Sequence, residues 1–138
     1  MIEKDMAAAK ILQPPHWVRP KGYANGVAAQ GRTVFVCGMI GWDARGRLVS
    51  KDIVGQVRQT LLNIVDVLAE GGAKPEHIVR MTWYVVNKKE YVDASKEIGA
   101  VYREIIGTHY PAMTAVLVAD LMEDRARVEI EVTAMVPE

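Results

Sequence analysis

The sequence is poor in the residues that build disulfides and metal sites. Its 138 residues include one cysteine and three histidines. The lone cysteine, Cys37, excludes a disulfide within the chain and favours a reducing compartment, the cytoplasm. No CxxC or HExxH motif occurs, and His16, His77 and His109 are too scattered for metal-ligand spacing. We therefore expect no metal site.

The chain also lacks an excess of charge of either sign. Its 17 basic residues (lysine and arginine) balance its 17 acidic residues, whereas nucleic-acid binding requires a clustered positive surface. No apolar run approaches the roughly 18 residues of a membrane helix. The first ten residues, MIEKDMAAAK, are too charged for a secretory signal. The sequence thus argues against nucleic-acid and membrane partners.

The composition is that of an ordinary globular protein. Hydrophobic residues make up 50% of the chain and charged residues 25%, and a chain of this length favours one domain. Residues 1–20 hold three of the six prolines and are expected to form an extended N-terminal leader without a helix. Residues 21–138 are expected to form the single domain.

The clearest helix signal is KDIVGQVRQTLLNIVDVLAEGG (51–72). Its apolar residues recur at spacings of three and four, which places them on one face of a helix. Asp52 or Ser50 can cap its start, and Gly71-Gly72 can end it. Gly55 inside the segment indicates close packing.

Four other segments have the composition or alternation of β-strands. YANGVAAQGRTVFVCG (23–38) predicts a hairpin that turns at Gln30-Gly31-Arg32, and its second strand is apolar enough to be buried on both faces. HIVRMTWYVV (77–86) and AMTAVLVAD (112–120) predict further strands. ARVEIEVTAMV (126–136) alternates apolar and polar residues, which predicts one buried face.

A second helix is expected between the third and fourth strands. It begins after NKKE (87–90), which has capping-box spacing, and runs to Gly107. The predicted order is β-β-α-β-α-β-β, an α+β fold with two helices on one face of a mixed sheet. The other face is too apolar to remain in water alone, which predicts association through that face or through the sheet edges.

Three stretches of the chain resemble the Rid family, the RidA/YjgF proteins. GQVRQTLLNIVDVLAEGGAKPEHIVRMTWYVVNKKEY (55–91) resembles the central block of the family, PAMTAVLVADL (111–121) its proline-alanine strand, and VEIEVTA (128–134) its closing signature. The resemblance implies a chorismate-mutase-like fold and a homotrimer with a ligand cleft at each subunit interface. It also implies hydrolysis of reactive enamines and imines to ketoacids and ammonia, with no cofactor.

The resemblance also assigns site residues. Tyr23 falls on the cleft tyrosine of the family and Glu129 on the glutamate that holds the attacking water, so these two are the expected catalytic residues. Cys37, Gly38 and Met39 stand where the family has serine, glycine and glutamine, and they are expected to line the substrate site.

Met113 is the departure with the largest chemical consequence. It falls on the arginine that grips the substrate carboxylate in active members, and Thr114 beside it is also expected to shape the cleft. An arginine supplies charge and paired donors matched to a carboxylate, and methionine supplies neither. We hypothesise that Met39, Met113 and Trp42 form an apolar pocket. The ligand would then be neutral or aromatic there, or would carry its carboxylate elsewhere.

Several cations are candidates to replace the missing arginine, although the sequence does not place them. They are His109, Arg19, Arg80, Arg125 and Arg127. Gly99 is a further departure, because active members often have asparagine there.

Each site residue also has a purely structural interpretation. Met113 can be a core methionine, and Tyr23 an ordinary strand residue. Cys37 can be a small packed residue rather than a nucleophile. Glu129 can be a solvated carboxylate beside Arg127, or can form with Glu131 a polar filling of a barrel.

The interpretation favoured by the sequence is an enamine/imine deaminase with an altered substrate preference. The main alternative is a non-catalytic trimer that binds a small metabolite. A structural trimer without a ligand also stays open. A ribonuclease, a label attached to some relatives, is disfavoured by the balanced charge.

Overall fold

Six strands and three α-helices follow one another in the computed structural model, which describes residues 9–138. In chain order they are β1 (Ala9–Leu12), β2 (Gly26–Ala29), β3 (Arg32–Met39), α1 (Ile53–Glu70), β4 (Ile78–Val85), α2 (Lys88–Asp93), α3 (Ser95–Ile105), β5 (Ala112–Leu117) and β6 (Val128–Val136). A 3-10 turn, Pro75–His77, precedes β4. The first eight residues of the predicted leader lie outside the described residues, and the leader–domain boundary stays a prediction.

The main sheet has four strands in the order β3-β6-β4-β5. Strand β6 pairs antiparallel with β3 and with β4, whereas β4 and β5 are parallel. A parallel pair requires a crossover connection, which α2 and α3 supply. The predicted α+β class and mixed sheet are confirmed, and the predicted second helix consists of α2 and α3.

The core lies between α1, α3 and one face of this sheet. The apolar stripe of α1 is fully buried at Val57, Leu61, Ile64 and Leu68. Every second residue of β6 faces this core, as its alternation predicts: Val128, Ile130, Val132 and Ala134. Burial of this apolar surface is the main stabilising contribution to the fold.

The ends of the helices follow the predicted signals. The Asp52 side chain accepts a hydrogen bond from the Gly55 backbone amide at 2.7 Å, which caps α1. Gly72 adopts a φ of +72° after the helix ends, a conformation that favours glycine. The Asn87 side chain accepts a bond from the Glu90 amide at 2.9 Å and caps α2.

The predicted hairpin is wrong in its pairing. Strand β2 pairs with β1, not with β3, and the two strands form a separate two-stranded sheet. Part of the expected leader, Ala9–Leu12, is therefore extended and hydrogen-bonded to the domain. The expectation that both faces of β3 are buried is also wrong for the single chain, since Phe35 is 76% exposed.

The sheet face that points away from the helices is called the open face here. Its members alternate with the core residues along each strand: Phe35 and Cys37 on β3, Arg80, Thr82 and Tyr84 on β4, Thr114 and Val116 on β5, and Glu129, Glu131 and Thr133 on β6. None of the helices within residues 9–138 combines the length and the apolar character needed to cross a membrane.

Candidate functional site

The centre of the open face is a contact between Glu129 and Gly38. Strand β3 pairs Val36 with Val132 but Met39 with Ile130, so it carries one extra residue in a bulge. Bulges re-aim the side chains beside them. A β-carbon at Gly38 would collide with the Glu129 carboxylate. Glycine at position 38 therefore leaves the space that this carboxylate occupies.

The Glu129 carboxylate has no hydrogen bond or ion pair to any other side chain of the part of the chain that the structure describes. Arg127, which the sequence suggested as its neighbour, donates instead to Glu90, with Nε 3.0 Å from Oε1. A half-buried carboxylate without a partner can accept a proton from water, which is the property of a general base.

The second carboxylate on this face, Glu131, is already engaged. The Tyr84 hydroxyl donates to Glu131 Oε1 at 2.5 Å. This hydrogen bond raises the pKa of Tyr84 above its usual value, and desolvation and the charges of Glu131 and Glu129 act in the same direction. The two glutamates therefore differ: Glu131 accepts a hydrogen bond from a tyrosine, whereas Glu129 has no side-chain partner among residues 9–138.

A cavity of about 420 Å³ lies on the open face beside Glu131, and Glu129 is not among the residues that line it. Its polar lining comes from Cys37, Arg80, Thr82, Glu131 and Thr133. Cys37 is exposed, so the predicted packed thiol is wrong for the single chain. Thr114 lies opposite Thr82 in the β4–β5 pair, on the same face.

A second cavity, of about 340 Å³, lies at the beginning of β5 and is called the Tyr23 cavity here. Its lining includes Gln13, Arg19, Tyr23, Thr108, His109 and Tyr110. The Ala24 amide donates to the Pro111 carbonyl at 2.9 Å, and Ala24 forms a parallel bridge with Ala112. These bonds hold the segment that carries Tyr23 against the start of β5.

One chain does not bring Tyr23 and Glu129 together. Tyr23 is adjacent to Ala24, which pairs with Ala112 at the start of β5. Glu129 of β6 pairs with Tyr84 of β4, and Tyr84 pairs with Val116 of β5. The two side chains are thus separated by four residues along β5 and by several strands, more than ~15 Å by standard strand spacings.

Met39 and Met113 also lie apart in the single chain. Met39 is on the edge strand β3 and pairs with Ile130, and Met113 is on the opposite edge strand β5 and pairs with Met81. Both are partly buried against the core on the helix side of the sheet. Trp42 forms a bridge with Leu48 outside the sheet. A shared apolar pocket of these side chains would require two chains.

Gln56 is a residue of structural importance that the sequence interpretation missed. It is fully buried in α1. Its Nε2 donates to the carbonyls of Ser50 and Arg125 at 3.0 Å each, and its Oε1 accepts from the Arg127 amide at 2.7 Å. Gln56 therefore fixes the backbone that leads into β6 and Glu129. The only signal was a polar residue beside the apolar stripe of the helix.

No group of three or more histidine, cysteine or acidic side chains within residues 9–138 is arranged to hold a metal ion. The polar groups that line the two cavities are carboxylate, phenol, thiol, hydroxyl, amide, imidazole and guanidinium groups.

Comparison with known proteins gives matches over nearly the whole chain, under two different functional names. The family model described as Endoribonuclease L-PSP matches residues 18–136. A 2-iminobutanoate/2-iminopropanoate deaminase of Bos taurus is 30% identical over 98% of this chain and 91% of its own length. The protein of the same name from Dermatophagoides farinae is 29% identical over 91% of this chain and 95% of its own.

Solved structures agree with these relatives. A protein of unknown function of the conserved Rid protein family from Yersinia pestis, YyfB, superimposes with a TM-score of 0.78 and 31% identity, covering 93% of this chain and 98% of that one.

Proposed function

The chain belongs to the Rid (YjgF/RidA) family, and on that premise we propose that it is an enamine/imine deaminase with an altered substrate preference. The observation that carries the proposal is the Glu129 carboxylate, which lies against Gly38 without a hydrogen-bonding partner among the described side chains. The deaminase names of relatives that span nearly the whole chain support the same reaction class.

In the proposed reaction, Glu129 acts as the general base for a water molecule. The water oxygen forms a bond to the carbon of the C=NH group, and its proton passes through Glu129 to the nitrogen. The resulting carbinolamine then transfers its hydroxyl proton to the nitrogen by the same carboxylate. The C–N bond breaks, ammonia leaves and the carbonyl forms, so that one imine and one water give one carbonyl compound and one ammonia.

The proposed site is shared between chains. Tyr23 and Glu129 are too far apart in one chain to contact one small molecule, so each cleft takes Tyr23 from one subunit and Glu129 from its neighbour. The assembly is a homotrimer in the cytoplasm. Support comes from Phe35 on the open face. Its side chain is exposed, and it belongs to β3, an edge strand of the four-stranded sheet. Burial of this apolar side chain is favourable.

The altered preference follows from Met113. In this proposal the part of the Met113 side chain that does not pack against the core contributes an apolar wall to the cleft. Cys37, Gly38, Met39 and Thr114 of the assembled site line the rest. Without a guanidinium at position 113, small 2-imino acids lose their main charged contact, which typically costs several kcal/mol of binding. Substrates that do not depend on this contact are then favoured.

The experiment that tests the function is imine hydrolysis. An amino-acid oxidase generates imines from small, acidic and aromatic amino acids. Semicarbazide then traps the imine that the protein has not hydrolysed, so hydrolysis is measured as a loss of trapped product. We expect hydrolysis by the wild type and loss in Glu129→Gln, which keeps the size of the side chain but cannot accept a proton. Glu76→Gln, an exposed carboxylate at the other end of β4, is the control. Equal activity of both variants and the wild type would overturn the role of Glu129.

A non-catalytic metabolite-binding trimer is the second candidate. Three departures from the residues of active family members favour it. Position 113 has methionine instead of arginine, position 99 has glycine instead of asparagine, and position 37 has cysteine instead of serine. In that case a 2-oxo acid binds to the wild type, and no imine of the panel is hydrolysed faster than by buffer.

A further inference from the structure

The Tyr23 cavity combines positive charge with the absence of acidic side chains. Arg19 contributes a guanidinium to its lining, and no aspartate or glutamate among residues 9–138 lines it. The Arg19 side chain has no ion-pair partner among the residues from 9 to 138. A guanidinium that lines a concave site, and that has no carboxylate of the protein beside it, can donate hydrogen bonds to an anionic ligand.

The other arginines that the sequence offered are placed differently. Arg127 is paired with Glu90 at 3.0 Å, and Arg125 Nε lies 3.3 Å from Glu123. Arg80 lies on the open face in a cavity that Glu131 also lines. Of these four, Arg19 is the arginine that lines a cavity with Tyr23 and without a carboxylate.

The backbone that presents Arg19 is held by Gln13. Its Nε2 makes long contacts of 3.4 Å with the carbonyls of Trp17 and Val18, the residues just before Arg19. Its Oε1 accepts a hydrogen bond from Asn25 Nδ2 at 2.8 Å. Gln13 thus links the loop before Arg19 to the segment that enters β2.

His109 and Tyr110, which also line the cavity, are held by hydrogen bonds and by ring stacking. His109 Nε2 lies 2.7 Å from the Ile78 carbonyl, a contact in which only a protonated nitrogen can donate. The Tyr102 hydroxyl donates to the His109 carbonyl at 2.5 Å. Tyr102 and Tyr110 stack with ring centroids 5.3 Å apart.

We propose that Arg19 binds the carboxylate of the ligand in the Tyr23 cavity and replaces the arginine that family members have at position 113. The inference rests on the proposed function and deepens it, because it names the residue that anchors the anionic group of the ligand, on the loop before β2 rather than on β5. Tyr23, in the same cavity, then lies beside the anchored group.

The test is binding of 2-oxobutanoate and of its neutral amide to the full chain, measured by titration calorimetry and by amide chemical shifts. We expect the wild type to bind the acid, and Arg19→Gln to weaken binding by about tenfold or more. Arg19→Lys keeps the charge but loses the fork, and is expected to bind with an intermediate affinity.

Lys21→Gln is the matched control. It removes the same charge two residues along the same loop, and Lys21 does not line the cavity. We expect less than about a twofold effect. The proposal is overturned if the wild type does not bind 2-oxobutanoate at millimolar concentration, if the amide binds as well as the acid, or if Lys21→Gln weakens binding as much as Arg19→Gln. Acid binding that depends on Arg19, without hydrolysis of any imine, would retain this proposal and overturn the proposed reaction.

Discussion

The carboxylate of Glu129 occupies the space that a β-carbon at Gly38 would need. Gly38→Ala is therefore expected to displace Glu129 and to lower kcat for imine hydrolysis. Overpacking of this kind also destabilises a fold by roughly 1–3 kcal/mol. Urea unfolding and the semicarbazide assay measure the two effects on the same preparation.

A double-mutant cycle separates this clash from a general effect of alanine at position 38. In the Glu129→Ala background the carboxylate is gone, so Gly38→Ala is expected to lose most of its destabilising effect. Additive free energies of unfolding would mean that the two positions do not interact, contrary to the structure.

Met113→Arg tests the altered preference. We expect a gain of activity on the imines of small amino acids, because the variant restores a guanidinium where active family members carry one. Met122→Arg is the control, since Met122 is 99% exposed in the loop before β6. A gain in both variants would point to net charge rather than to the cleft.

Gln56→Leu is expected to destabilise the chain by about 2–4 kcal/mol, because it leaves two carbonyls and one amide of the backbone without their partner. Activity should fall as well, since the Arg127 amide that Gln56 holds leads into the strand of Glu129. Gln59→Leu, on the same helix, removes one bond to Asn63 and should cost less than about 1 kcal/mol. Thermal unfolding of both variants is the measurement.

Phe35→Glu tests whether the open face is the contact between subunits. A buried carboxylate without a partner opposes association, so light scattering on a sizing column should show the mass of one chain instead of three. Val92→Glu adds the same charge to an exposed position of α2 and should leave the mass unchanged. A trimer in Phe35→Glu would contradict the assignment of this face.

The stability of the protein should fall in alkaline solution. The hydrogen bond to Glu131 raises the pKa of Tyr84 above 10.0, and burial raises the pKa of Tyr102. Below the unfolded pKa both states keep these protons, so the stabilising contribution is complete. Above it the unfolded chain loses protons first, and stability falls until the folded pKa is reached. When Tyr84→Phe is titrated with base and followed by phenolate absorbance, one tyrosine that ionises at high pH should be missing. The free energy of unfolding should also fall less in alkaline solution than it does for the wild type.

Local signals in the sequence predicted the helices and the alternation of β6 well. The stripe of α1, its cap at Asp52 and the glycine at position 72 depend on neighbours within a few residues. The β2–β3 hairpin was wrong because pairing depends on distant partners: a strand in the expected leader pairs with β2, and the last strand pairs with β3.

The candidate site was less accessible to sequence reasoning. The alternation of β6 places Glu129 and Glu131 on the same face, and the resemblance alone selected Glu129. The structure adds two distinctions, the hydrogen bond from Tyr84 to Glu131 and the contact of Glu129 with Gly38. The apolar character of β3 predicted burial on both faces, but a single chain covers only the helix side and leaves Phe35 exposed. The proposed trimer would account for the difference, because a neighbouring subunit would cover that side.

The position of β6 has a consequence for how the protein is made. This strand is the last in sequence among the described elements, yet it lies between β3 and β4 in the sheet. A nascent chain on the ribosome can form its helices early but cannot close the sheet until residues 128–136 emerge. Until then β3 and β4 present unpaired edges, which favour aggregation. The high contact order of this arrangement predicts slow folding and a dependence on chaperones that shorter-range topologies avoid.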